Sequence, residues 1–337
     1  MDLSIIIVNW KSAALLRKCI QSILASAAGL ELEILVIDNA SFDGSAEMVS
    51  NEFPSVSFIQ SNENLGFAGG NNRAFQQSTG RYVLFLNPDT EVVGDALQKM
   101  LGVFETHRDA GVVGPNLVNP DLTAQLTCMR VFPGILHELF DSNLSKKLFP
   151  MSDLWGLRPV IQAQDGPVRV EMLPGTCAML RREVFEAAGR FSEKYFMYAE
   201  DIELSYKVKQ AGWTNYYLGA ALVVHHGGQS SNQKVESFFS AIMMRESVWK
   251  FLRANRGLVY AATYRITTLL AALARVSVLG MVWLLPVNSR AKFRAAQAAR
   301  KWVKVGRWCL GMESWARDYH PAVIPRAETL AVSVQAQ

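Results

Sequence analysis

Cysteine is scarce in this 337-residue chain: Cys19, Cys128, Cys177 and Cys309 are scattered, with no C-x-x-C pair. That argues against a structural zinc site and against a disulfide framework. Net charge is slight at +4, too small to imply nucleic acid by itself. The glycine-rich stretch 62–72 (NENLGFAGGNN) has neither the G-x-G-x-x-G nor the G-x-x-x-x-G-K-[ST] spacing, so it is not a dinucleotide fingerprint or a P-loop. No basic segment or small-residue cleavage site precedes the first apolar run, so no secretory signal is expected and the active site is expected to face the cytoplasm. What the chain does have is apolar mass. Half of it is hydrophobic and 19% is charged, enough to bury a sizeable core.

The apolar residues come in short runs separated by helical patterns. Residues 3–9 (LSIIIVN), 33–38 (EILVID), 56–60 and 82–86 (YVLFL) have strand length and are rich in β-branched or aromatic side chains. Between them, residues 12–25 place Leu15, Leu16, Cys19, Ile20, Ile23 and Leu24 on one helix face, and residues 45–53 and 71–78 are predicted helical. Strand and helix in alternation predict an α/β fold with a parallel sheet covered on both faces. Each strand ends in polar residues: Asn9, then Asp38 and Asn39, then Asn62 and Asn64, then Asn87 and Asp89. Four such tips in register form one rim of one cleft, the usual ligand position in open α/β sheets. A carboxylate at Asp38 suits base or ribose hydroxyls and suits a plain Asx turn equally well. Asp89 could carry a divalent cation and, through it, a diphosphate, although Asn87-Pro88-Asp89-Thr90 in isolation reads more readily as a turn. Gly66, Gly69 and Gly70 allow close backbone approach to a ligand, or simply a flexible loop.

The second half is less regular. Residues 116–167 have several prolines and no sustained period, as expected of loops over a site. A strand is predicted over 168–173, a turn at Gly175-Thr176, a further apolar run at 178–180, and a helix from Arg181 to Gly189. Residues 191–201 (FSEKYFMYAED) lead into a helix opened by Glu200-Asp201 and ended near Gly212. Acids in a first turn suit the helix dipole. They also suit a base that takes a proton from an acceptor hydroxyl. A strand over 221–224 precedes His225-His226-Gly227-Gly228, candidates for metal or diphosphate contact. Helices are predicted over 237–253 and 259–285, the second interrupted by Arg265 and Arg275. A mid-span arginine is costly in a bilayer, so a free-standing transmembrane span is disfavoured. The basic run from Arg290 to Arg307, with Trp302 and Trp308, suits a helix in an anionic membrane interface; a hairpin packed on the domain or a dimer contact is the competing reading. Residues 321–337 are expected to be a disordered tail.

The series Ile5-Ile6-Ile7-Val8-Asn9-Trp10, Val36-Ile37-Asp38-Asn39-Ala40-Ser41, Asn64-Leu65-Gly66-Phe67-Ala68-Gly69-Gly70-Asn71 and Phe85-Leu86-Asn87-Pro88-Asp89 resembles inverting family 2 glycosyltransferases. It is similar in particular to the bacterial branch with rhamnosyltransferases of cell-surface polysaccharide synthesis. The resemblance covers about residues 1–245. It implies a glycosyltransferase A-type fold: a Rossmann-like, mainly parallel central sheet flanked by helices, with a C-terminal helical extension. Residues 1–235 would be the catalytic domain, 236–315 a helical membrane-associating region and 316–337 the tail.

By the same resemblance, Val8 and Asn9 line the base pocket, and Asp38 with Asn39 meets base or ribose. Asn64, Gly66, Phe67, Gly70 and Asn71 face nucleotide and sugar. Asp89 is the metal-binding end of a D-x-D-like motif for Mg²⁺ or Mn²⁺, with Asn87 at the position where many relatives carry Asp. Asn87 keeps an oxygen donor and loses a charge. Gly175 and Thr176, with Tyr198, lie by the sugar and acceptor. Asp201 is the base and Glu200 its support. His225, through an H-x-x-G-x-S pattern with Gly228 and Ser230, helps Asp89, with His226 as fallback. The implied partners are a nucleoside diphosphate sugar and a glycan or polyprenyl-diphosphate-linked acceptor at a membrane surface, not nucleic acid. The first candidate donor is dTDP-L-rhamnose, with UDP- or GDP-linked sugars as alternatives, and the enzyme would sit peripherally on the cytoplasmic face of the cell membrane. A nucleotidyltransferase would want a basic glycine-rich loop after the first strand, where only Lys11 follows. A non-catalytic membrane scaffold would not need Asp38, Asp89 and Asp201 together.

Overall fold

The structure is a computed structural model that describes residues 2–125, 131–140, 166–227, 238–282 and 288–319, with single positions between 145 and 154. The chain opens with the expected alternation: β1 (Leu3–Asn9), α1 (Ala13–Ser26), β2 (Leu32–Asn39), α2 (Ser45–Glu52), β3 (Ser57–Ser61), α3 (Gly66–Phe75) and β4 (Tyr82–Leu86). β1 pairs in parallel with β2 and β4, and β2 in parallel with β3. Ile5, Ile6, Ile7, Val83, Leu84 and Phe85 are fully buried, as continuous apolar runs covered on both faces must be.

Past β4 the order is no longer sequential. There follow β5 (Thr90–Val93), α4 (Ala96–Thr106), β6 (Ala110–Val118), α5 (Ile135–Phe140), β7 (Pro167–Val170), β8 (Cys177–Arg181), α6 (Arg182–Ala187), α7 (Glu200–Gln210) and β9 (Thr214–His225). The sheet runs β3-β2-β1-β4-β8-β6-β9-β5, with β7 on β9. β8 is antiparallel to both β4 and β6, β5 and β7 are antiparallel to β9, and β6 and β9 are parallel. The expected mainly parallel sheet is therefore parallel over its first four strands and mixed beyond. The cause is a long-range contact: β8 enters from the Gly175-Thr176 turn at the carboxyl end of β4, where Thr176 O accepts from Asn87 N at 2.9 Å, and Cys177 then pairs with Leu86.

Two element boundaries also differ. α3 begins at Gly66 rather than at 71, because Asn64 Oδ1 accepts from Gly66 N at 2.9 Å and starts the helix early. Its glycines are packing positions: a Cβ on Gly70 would stand 3.0 Å from Val8 Cγ1, so helix and sheet approach closely there. β9 extends back to Thr214, since Tyr216, Tyr217 and Leu218 belong to the sheet's buried core.

The C-terminal part is a helical hairpin. α8 (Phe238–Met281) is broken at Gly257, whose φ of 84° and ψ of 170° suit glycine alone, and α9 (Ser289–Cys309) folds back along it. Arg265 lies over Trp308 and donates to its carbonyl, while Arg275 lies 4.1 Å from the Trp302 ring centre, so the helices run in opposite directions. The two arginines that interrupt the apolar run thus turn inward. The first half of α8 packs on α7 and the loop before it: Phe251 meets Tyr206 of α7, and Ser247 Oγ donates to Met197 O at 2.9 Å. Outward, Val259, Ile266, Leu270, Leu273 and Met281 share an exposed face, Val259 at 82%. The expected tail at 321–337 lies outside the described residues.

Candidate active site

The strand tips do form one rim. Strand register sets Asn9 opposite Asp38, Asp38 opposite Gln60, and Asn39 opposite Ser61. Asn9 Nδ2 donates to Asp38 Oδ1 at 2.7 Å and to Ser45 Oγ at 2.9 Å, and Asn9 Oδ1 accepts from Ser12 Oγ at 2.7 Å. Asp38 Oδ2 accepts from Ser41 N at 2.8 Å and Gln60 Nε2 at 2.9 Å. Asp38 is therefore buried in a closed network that makes it both an Asx-turn residue and a fixed acceptor at the cleft edge. Asn39 Nδ2 donates to Gly66 O at 2.9 Å and leaves its Oδ1 buried and unpartnered. Asn71 turns back to Phe67 O at 2.9 Å, so its amide is spent within α3.

The end of β4 is built differently. Thr90 Oγ1 donates to Asn87 O at 2.7 Å and closes the turn, and Cys19 of α1 packs beneath it. Asp89 is 2% exposed, and its Oδ1 has no hydrogen-bond partner. A buried carboxylate oxygen without a donor is expensive unless a cation completes it. β5 carries the chain back beside β9, where Thr90 pairs with His225, and this brings His225 Nε2 to 3.6 Å from Asp89 Oδ1. That spacing is too long for a hydrogen bond. Gln125 engages the other side of the same histidine: Oε1 lies 2.9 Å from Nδ1, and Nε2 donates to the His225 carbonyl at 2.7 Å. With Nδ1–H on the glutamine oxygen, Nε2 is left to face the orphan carboxylate oxygen. His226 is drawn elsewhere, its Nε2 lying 2.6 Å from Glu91 Oε1. Gly228 and Ser230, the rest of that motif, lie outside the described residues. Asn87 is half-buried, and its side chain makes no hydrogen bond among the described residues. Among those residues no cluster of three or more His, Cys, Asp or Glu side chains gathers for a metal. Asp89 and His225 supply a carboxylate oxygen and an imidazole nitrogen, a donor pair that suits a divalent cation such as Mn²⁺.

Across the cleft, the Gly175-Thr176 turn joins this end to the Glu200-Asp201 helix start. Gly175 N donates to Asp201 Oδ2 at 3.0 Å, and Ile202 N to Asp201 Oδ1 at 2.8 Å. A Cβ on Gly175 would press on the Phe67 ring at 3.1 Å and on Asp201 Cβ at 3.4 Å, so glycine allows the three to meet. Gly66 is tighter still: its φ is 70°, and a Cβ there would lie 2.6 Å from Phe196 O. Tyr198 and Ala199 both have positive φ, 68° and 64°, a strained entry into α7. Glu200 is 7% exposed with Oε2 unpartnered, and burial, then the neighbouring Asp201 charge, push its carboxyl up to about 8. Burial likewise raises the Tyr198 phenol, whose hydroxyl bonds to Ser240 of α8.

Several positioning groups were invisible in the sequence. Asn72 clamps the loop before α7 by donating to Phe191 O at 2.9 Å and accepting from Phe191 N at 3.2 Å. Gln60, Gln125 and Glu91 gave no signal, because each acts through a partner distant in the chain.

Comparison with known proteins agrees with this architecture. The chain is 27% identical over 235 residues to the N-acetylglucosaminyl-diphospho-decaprenol L-rhamnosyltransferase of Mycobacterium tuberculosis, covering 65% of this chain and 74% of that one. It is 27% identical over 264 residues to a low-salt glycan biosynthesis hexosyltransferase of Haloferax volcanii, covering 75% and 76%. Among solved structures it is similar to a mannosyltransferase of Pyrobaculum calidifontis in complex with GDP-Man and Mn²⁺, with a TM-score of 0.58 and 16% identity over 92% of this chain and 87% of that one. The fold is glycosyltransferase A-like, a mixed sheet flanked by helices with a C-terminal helical region. The model for glycosyl transferase family 2 matches residues 4–189, from β1 through α6, and this chain belongs to that family.

Proposed function

We propose that this glycosyltransferase moves L-rhamnose from dTDP-L-rhamnose to a polyprenyl-diphosphate-linked glycan, with inversion, at the cytoplasmic face of the cell membrane. The observation that carries the reading is two carboxylates in different settings: Asp89 with its unpartnered oxygen opposite His225, and Asp201 held at the Gly175-Thr176 turn by two backbone N–H groups. The acceptor hydroxyl attacks the anomeric carbon from the face opposite the diphosphate. The carbon–oxygen bond to the diphosphate breaks as the new one forms, and the hydroxyl proton passes to Asp201. Asp38, Asn9 and Gln60 hold the nucleoside end through a network that needs no rearrangement. Mg²⁺ or Mn²⁺ between Asp89 and His225 would balance charge on the leaving diphosphate. The Mn²⁺ in the mannosyltransferase complex supports a divalent cation here. The mycobacterial relative, named for L-rhamnose and a diphospho-decaprenol acceptor, supports the sugar and the lipid. The outward apolar face of α8 and the acid-free basic run of α9 support a membrane surface.

A panel of nucleotide sugars in thermal shift, with and without Mn²⁺, tests the donor. The largest stabilisation is expected from dTDP-L-rhamnose and is expected to need the metal. A larger shift with a UDP- or GDP-linked sugar would reassign the donor, and no shift with any of them would favour a non-catalytic scaffold.

A further inference from the structure

A second anionic site lies outside the donor cleft. Where α8 meets the loop before α7 and the segment after α9, a cleft of about 690 Å³ is lined by Lys194, Lys250, Arg253 and Arg317, with Glu246 and Asp318 as its acids and Trp249 as its apolar wall. The lining sets four cations against these two acids and so keeps a positive excess. Glu246 is buried and bonded through Oε2 to Trp308 Nε1 at 2.8 Å. Lys194 is paired with Glu203 at 2.5 Å, and Lys250 Nζ donates to Arg317 O at 2.7 Å. Arg253 lies over Trp249 without an acidic partner among the described residues, and the Arg317 guanidinium has none there either. Two exposed guanidinium groups are thus free to fork onto a ligand, with ammonium groups beside them. That is the donor set that recognises phosphate oxygens.

Its position narrows the ligand. Arg253 stands one turn before the break at Gly257, and the chain then presents Leu258 and Val259, 61% and 82% exposed. Charge that binds phosphate and side chains that prefer hydrocarbon are therefore adjacent, the order of groups in a lipid carrying a diphosphate. On its inner side the cleft borders the loop that leads to Asp201: Ser247 of α8 holds the Met197 carbonyl, four residues before it, and Lys194 bonds to Glu203 of α7. We infer that this cleft binds the diphosphate of the lipid-linked acceptor and so seats the glycan toward Asp201. The inference rests on the lipid-acceptor reading above and adds where its diphosphate docks.

The test is titration of metal-free full-length protein with inorganic pyrophosphate, followed by calorimetry. Wild type and the Asp89→Asn variant are expected to bind alike, while Arg253→Glu/Arg317→Glu weakens binding by about tenfold or more. Arg253→Lys/Arg317→Lys should recover most of it. Equal binding by the charge-reversed variant overturns the site, and tighter binding by Asp89→Asn, from which a repelling carboxylate is gone, places the pyrophosphate in the donor cleft and overturns it too. Unchanged melting temperatures show that the exposed substitutions leave the fold intact. Phosphatidylcholine vesicles doped with decaprenyl diphosphate or with phosphatidylglycerol separate the sources. Preference of wild type, but not of the charge-reversed double variant, for the diphosphate lipid supports an acceptor site; equal retention on both overturns it in favour of a general anionic surface. Donor thermal shift in the same samples reports separately on the donor cleft, so a failed donor reading leaves this titration interpretable.

Discussion

The two ends of the cleft rim differ in how their polar groups are satisfied. On the β1-β2-β3 side, Asn9 and Asp38 spend their hydrogen bonds on one another and on Ser12, Ser41, Ser45 and Gln60, with the neutral Asn39 Oδ1 as the exception, buried without a partner. On the β4-α7 side, Asp89 Oδ1 and Glu200 Oε2 are buried without partners. A closed network stiffens a surface in advance of binding, and leaving it incomplete is costly to the fold. Unpartnered buried oxygens instead store binding capacity for a cation or a reacting group. The first side is a preformed wall, and the second is where chemistry is expected.

The sharpest way to test that contrast is Asp201→Asn. It keeps the shape beside Gly175 and removes the carboxylate proposed as the base. Turnover is expected to fall by roughly 10³-fold or more, with thermal shift by donor unchanged. Near-normal turnover would move the base elsewhere and erase the distinction. Asp89→Asn comes next: Mn²⁺ affinity, read by electron paramagnetic resonance, should fall by roughly 10²-fold while the melting temperature of the metal-free protein holds or rises, because an uncompensated buried charge is gone. A fall in metal-free stability would show that Asp89 belongs to the closed kind.

The wall should fail in the opposite way. Asn9→Ala leaves Asp38 Oδ1, Ser45 and Ser12 without the amide and is expected to destabilise the fold by about 3 kcal/mol in urea denaturation. A variant that loses donor affinity at full stability would mean that Asn9 serves the ligand first.

This contrast also explains what could be read from the sequence. The four parallel strands were legible because each is a continuous apolar run bounded by polar tips, and Tyr82–Leu86 stands where it was expected. The helix start at Glu200-Asp201 was legible because acids opening a helix after an aromatic run form a local pattern. The antiparallel entry of β8 was not, since it depends on Thr176 meeting Asn87 across more than eighty residues of chain. Gly70 was ambiguous for a physical reason: glycine marks a loop and a close helix–sheet contact equally, and Val8 on the facing strand shows the contact. Gln125 could not be found at all, because a glutamine in an irregular segment has no period and no motif until His225 folds against it.

Glu200 tests whether the open side is electrostatically as well as geometrically open. In the unfolded chain its carboxyl ionises near 4.5, and in the fold burial and Asp201 raise that to about 8. Between those values the unfolded chain releases the proton while the folded one keeps it. This group therefore favours folding least above about 8, and its contribution is lost progressively as pH rises through the window. Glu200→Gln keeps the outline of the protonated acid and has no proton to lose. Urea midpoints across that range should decline less steeply in the variant, and the two proteins should converge at the acid end. Turnover offers a second reading: if neutral Glu200 keeps Asp201 free of a second charge at its side, wild-type activity falls above about 8 and the variant's does not. Identical slopes in both measurements would mean that Glu200 is ionised in the fold, and the cleft would then hold two adjacent charges with only backbone N–H groups on Asp201 to offset them.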